Sequence, residues 1–152
     1  MGDMDEILDG YEKKKEEEIR GREQRQAAFD QEYATRRTLF KKCADEIILP
    51  ILEEYAATLK SRGYSVKITA PLTTLPNEPE LGEFYTEITF NFGNDKGLFK
   101  HFSSSIEFES AEAPNISITF RDPEGEVRQN HESTEFAIRG ALKSFLKKEF
   151  QS

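Results

Sequence analysis

The stretch Phe84-Tyr85-Thr86-Glu87-Ile88-Thr89-Phe90-Asn91-Phe92 decides the fold. Its even positions are Phe, Thr, Ile, Phe and Phe, and its odd positions are mostly polar. A period of two over nine residues predicts a β-strand with one buried and one wet face. The same pattern recurs on both sides. Tyr64, Val66, Ile68 and Ala70 alternate with Ser65, Lys67 and Thr69. Downstream, Leu98, Phe102, Ile106 and Phe108 share a face, and Ile116, Ile118 and Phe120 alternate with Ser117, Thr119 and Arg121. Strands wet on one face belong to antiparallel sheets. Turn chemistry separates them at Gly93-Asn94-Asp95-Lys96-Gly97, at 110–114 and at Asp122-Pro123-Glu124-Gly125. This predicts a four-stranded antiparallel meander.

Helical spacing takes over outside this block. Phe29, Tyr33, Phe40, Cys43, Ala44, Ile47 and Ile51 fall on one helix face, with Ile47 at its centre. Pro50 cannot donate to the carbonyl of Glu46, so a kink or break is expected there, with a second helical piece reaching about Arg62 and Gly63 as its C-cap. A last helix is expected from about Ser133, as N-cap, to Phe150. Its apolar face is Ile138, Ala141, Leu142, Phe145 and Leu146, and Phe136 falls nearly opposite. The expected fold class is α+β: a long N-terminal helix kinked near Pro50, a four-stranded antiparallel meander and a C-terminal helix, with the helices packed on one sheet face.

The chain has 152 residues, one domain's worth, with a mean hydropathy of -0.69 and a formal charge of -8. Charge is uneven: -4 over residues 1–11, +3 over 12–42 and -7 over 43–152. From Glu12 to Gln26 the one large apolar side chain is Ile19, so residues 1–26 read as a charged, partly frayed helical arm without a stripe to bury. Residues 27–152 read as a single α+β domain. No apolar run suits a membrane span, no secretory leader is evident, and a single cysteine fits a reducing compartment. The expected location is cytoplasmic.

Few residues point to chemistry. One Cys and two His without paired spacing argue against a structural zinc site, and no phosphate loop or calcium-loop pattern occurs, so neither metal nor cofactor is expected. Cys43, on the apolar helix face, reads as a core residue rather than a nucleophile. If Phe92 pairs with Leu98, Glu87 comes near His101 and opposite Ser103, a Glu-His-Ser group on the wet face. Glu87, His101 and Ser103 are therefore the catalytic candidates, set against an ordinary solvated sheet face. The basic stretch from Arg20 to Lys42 belongs to a chain of net charge -8, which argues against nucleic acid. The loop 71–82, with Pro71, Pro76 and Pro79, reads as a semi-rigid crossover and a possible ligand contact.

The order helix, four-strand meander, helix is similar to that of ubiquitin-conjugating cores. Active members carry a cysteine after the meander, and none lies between Arg121 and the last helix here. Small acidic secretion chaperones also combine helices with an antiparallel sheet, but they place a helix between strands. The sequence reading is a non-catalytic protein-binding or adaptor module. The alternatives are a small enzyme or ligand-binding protein using the polar sheet face or the Pro-rich loop, and an acidic chaperone-like protein. Phe29, Tyr33 and Phe136 are the expected partner-binding residues. A homodimer through the N-terminal helix is expected, because that helix outreaches a four-stranded sheet.

Overall fold

A computed structural model of the chain describes residues 2–76, 79–94, 102–112 and 115–151, without the side chains of Phe29, Asp30, Tyr33 and Leu81. The chain divides into two compact units, Met1–Thr35 and Arg36–Ser152. The first is helical throughout its described length, and Gly10 and Gly21 do not interrupt it.

Helix α1 spans Gly2–Cys43, a π turn follows over Ala44–Ile48, and α2 spans Leu49–Ser61. The expected break at Pro50 is therefore a change of helical winding five residues wide. Pro50 lies in the first turn of α2, directly after the π turn, whose wider winding takes up the proline. The wide turn admits one extra residue and rotates the apolar face. Ile48, not Ile47, is the fully buried residue, and Ile47 is half-buried. Gly63 closes α2 at φ 90°, with Tyr64 N donating to Leu59 O and Gly63 N to Lys60 O. These are the two bonds of the C-cap that its position predicts.

The sheet has five strands rather than four, in the order β1 (Ser65–Thr69), β4 (Ile88–Gly93), β5 (Ser104–Ser110), β6 (Asn115–Asp122), β7 (Gly125–Glu132), all antiparallel. The additional β7 is an edge strand whose residues are almost all exposed, so no buried face marks it. Asp122 Oδ1 accepts from the backbone N of Glu124 and Gly125 at 2.8 and 3.0 Å and turns the chain into β7. The Pro-containing segment folds back on itself: β2 (Leu72–Thr73) pairs with β3 (Phe84–Tyr85), with a 3-10 turn at Pro79–Leu81.

Strands β4 and β5 meet in a different register from the expected one. Phe92 pairs with Ser104, not Leu98, so Phe90 faces Ile106 and Ile88 faces Phe108. The expected register would set Lys100 against Phe90 on the buried face. A shift of six residues keeps every side chain on its own face, so alternation does not distinguish the two registers.

Helix α3 spans Glu135–Gln151. Its N-cap is Thr134, whose Oγ1 accepts from Ala137 N at 3.2 Å, one residue past the expected Ser133. Ile138, Ala141, Leu142 and Phe145 join Phe40, Ile48, Ile51 and Leu52 and the even-numbered strand residues Val66, Ile88, Phe90, Phe92, Ile106, Phe108, Ile116 and Ile118 in one core. Arg139 ties α3 to α2 through Glu54 at 2.9 Å.

Candidate functional site

The odd-numbered side chains of β4–β6 and the even-numbered ones of β7 form the sheet's polar face. One step beyond the Ile88–Phe108 pair, Glu87 comes alongside Glu109, and Glu107 pairs with Thr119. One carboxylate oxygen each from Glu87, Glu107 and Glu109 lie within 4.8 Å of one another. This face is not evenly solvated: Glu107, Ser117 and Thr119 are each only 3% exposed.

Arginines answer these acids. Arg121 Nη1 lies 2.6 Å from Glu107 Oε2, an ion pair whose angle is not that of a hydrogen bond. Arg128 reaches Glu109 at 3.3 Å while its Nε donates to Ser117 Oγ at 2.8 Å. Burial, a hydrogen bond with Glu87 and the Glu87 charge push the Glu107 carboxyl up to about 7, against the pull of Arg121. Glu107 is thus easier to protonate than an ordinary glutamate, and Glu87 is its hydrogen-bond partner.

The cluster differs from the expected one. Glu87 meets Glu107 and Glu109, while Ser103 lies at the other end of β5, its backbone N bonded to Phe92 O at 3.0 Å. Six residues of strand, about 20 Å, separate Ser103 from Glu109. The structure does not bring Glu87 and Ser103 together, and His101 lies outside the described residues. Sequence reasoning missed Glu107, Glu109, Arg121 and Arg128. Glu107, Glu109 and Arg121 share odd parity, Arg128 is even because the turn at Asp122–Gly125 reverses parity in β7, and their meeting depends on register.

Chemically, a proton-holding carboxyl beside a carboxylate could serve acid–base work, and three carboxylates could hold a hard divalent cation. Such a cation would have to displace Arg121 and Arg128. The principal cavities among the described residues are lined by other side chains than Glu87, Glu107 and Glu109. The geometry is that of an ion-pair network bracing three strands.

A second feature lies in the first unit. Met4, Ile7, Leu8 and Tyr11 recur at i, i+3, i+4 and i+7 of α1 and are 67%, 66%, 47% and 61% exposed. Asp3, Asp5, Glu6, Asp9 and Glu12 lie outside this stripe, and residues 2–12 hold no base. The expectation that residues 1–26 have no stripe is thereby corrected. Its apolar residues precede Glu12, within a segment that charge alone marks as an arm.

The second unit carries an apolar groove of about 230 Å³ between α1 and the β5–β6 turn, walled by Leu39, Phe40, Cys43, Ile47, Ala111 and Ile116. Cys43 Sγ points to Ser133 O at 3.9 Å, and burial and Glu46 push its thiol up to about 11, which keeps it protonated. Phe136 is 90% exposed on the first turn of α3. The side chains of Phe29 and Tyr33 lie outside the described residues.

No protein-family model, curated protein or solved structure matches the chain. Among the described residues no helix is long and apolar enough to cross a membrane.

Proposed function

We propose that the protein is a non-catalytic protein-binding module. In this reading the arm of residues 1–26 is the recognition element, and residues 27–152 form the single domain that presents it. The observation that carries the reading is the exposed Met4–Ile7–Leu8–Tyr11 stripe on α1. Four large apolar side chains at this spacing are the anchors by which a helix lies in a partner's groove. Burying each is worth roughly 1.5–3 kcal/mol, enough to offset the cost of association. The exposed Phe136 is a second contact of the same kind. A photo-crosslinking residue at position 8, on the stripe, and another at position 6, on the acidic side, test it in native cells. Adducts at position 8 and not at position 6 support the reading. Equal adducts, or none, contradict it.

A second reading, a small enzyme on the polar sheet face, is favoured by the Glu87–Glu107 pair and its raised carboxyl. It predicts that Glu107→Gln abolishes function while the protein stays folded.

A further inference from the structure

We propose that the stripe's partner is a protein with an apolar groove bordered by lysine and arginine side chains. The first three turns of α1 lie in that groove, with their acids against its basic borders. This rests on the protein-binding reading above and names the chemistry of the partner.

The placement of charge carries it. Residues 2–12 hold five acids and no base, for -5, and all of them are exposed. At about 100° per residue, Met4, Ile7, Leu8 and Tyr11 span one face of the helix. Asp3 falls on one border of that face, and Asp5 and Glu12 fall on the other. Glu6 and Asp9 fall opposite. The apolar stripe is thus edged by acid on both sides, and a groove that receives it presents its rims to Asp3, Asp5 and Glu12. Acidic rims would repel the helix there, whereas basic rims steer it in and fix its register. The helix dipole accounts for acids in the first turn, where Asp3 and Asp5 lie, but not for Glu12, about three turns in.

The same charge decides against two other occupants. A helix that lies on a membrane carries Lys and Arg on its polar face, to meet anionic lipid. This segment presents five acids instead. A nucleic acid would repel it for the same reason. The charge also bounds the contact. Lys13-Lys14-Lys15 follows Glu12 directly, and Lys15 Nζ sits 5.9 Å from the centre of the Tyr11 ring. The recognition segment therefore ends at Tyr11 and Glu12, a helical length of about 17 Å.

Crosslinking with the charges varied tests the pairing. The photo-reactive residue at position 8 is placed in three full-length chains: otherwise wild type, Asp3→Asn/Asp5→Asn/Glu12→Gln, and Glu6→Gln/Asp9→Asn. All these substitutions lie at exposed positions, and circular dichroism checks that each chain keeps its helix. In extract of the native cells, the border variant should lose adduct about threefold to tenfold, the worth of two or three exposed ion pairs. The opposite-side variant should keep nearly all of it. Raising salt from about 0.05 to 0.5 M should weaken the wild-type adduct, because exposed charges are screened. Mass spectrometry should place the label beside Lys or Arg in the partner's sequence. An adduct equally strong in all three chains and indifferent to salt, or a label bordered by Asp and Glu, overturns the basic-groove proposal and leaves the protein-binding reading standing. Equal loss in the two charge variants does the same, because net charge and not its position would then be read. The absence of any adduct at position 8 overturns both, and flotation of the same chain with phosphatidylcholine–phosphatidylserine vesicles would then assign the stripe to a lipid surface.

Discussion

The backbone N–H of Leu49 donates to the carbonyl of Ala44, five residues back. That bond closes the π turn and lets the chain enter Pro50 without breaking the helix. It also sets the phase of everything after it, so Ile48, Leu52 and Ala56 continue the buried face that Phe40 and Ala44 begin. Ile48→Ala should cost about 2–5 kcal/mol, and Ile47→Ala about 1 kcal/mol. Denaturant melts of the two variants check this, and equal losses would mean that the helix keeps α winding through Glu46.

The proton on Glu107 gives the fold a pH dependence of known sign. Its folded-state value of about 7 lies above the ordinary 4.5, so the folded state holds a proton that the unfolded chain releases. Stability should fall as pH rises from about 4.5 to 7 and level off above that. Glu87 and Glu109 push in this direction, and Arg121 opposes it. This loss is the signature of the Glu107 proton. In Glu107→Gln it should be absent, as read from melts across that range. An unchanged slope would place the titrating group elsewhere.

Tyr85 Oη donates to Asp45 Oδ1 at 2.5 Å, and Lys41 holds the other carboxylate oxygen at 2.8 Å. The Asp45 bond, burial and the Asp45 charge raise the Tyr85 phenol to about 12, and the hydrogen bonds from Lys41 and then Tyr85 hold the Asp45 carboxyl below its ordinary value. In an ultraviolet titration of the five tyrosines, one should ionise late. Asp45→Asn should return it toward the others. A titration identical in the two proteins would show that the clamp between β3 and the π turn is not formed in solution.

Much of this fold is legible in the alternation of strands β4 and β6 and in the Ile138–Phe145 face of α3. What escapes has physical reasons. Strand β7, Gly-Glu-Val-Arg-Gln-Asn-His-Glu, is an edge strand held by backbone pairing, so its side chains carry no period. The Glu87–Glu107–Glu109 cluster depends on a register that an even-numbered slip leaves ambiguous by parity. It is readable only by asking what faces Phe90. The π turn is a backbone response to Pro50 whose effect on phase cannot be counted at 100° per residue. The stripe from Met4 to Tyr11 was present in the sequence. It is short, and the charge of its segment reads first.

Recognition through the α1 stripe is most directly tested by crosslinking in native cells from a photo-reactive residue at position 8, in the otherwise wild-type chain and in Met4→Ser/Ile7→Ser. Both substitutions lie at exposed positions, so the fold should be untouched. The otherwise wild-type chain should form an adduct with a partner protein, and the double variant should lose it. No adduct from either chain, or an adduct indifferent to the double substitution, would contradict the account.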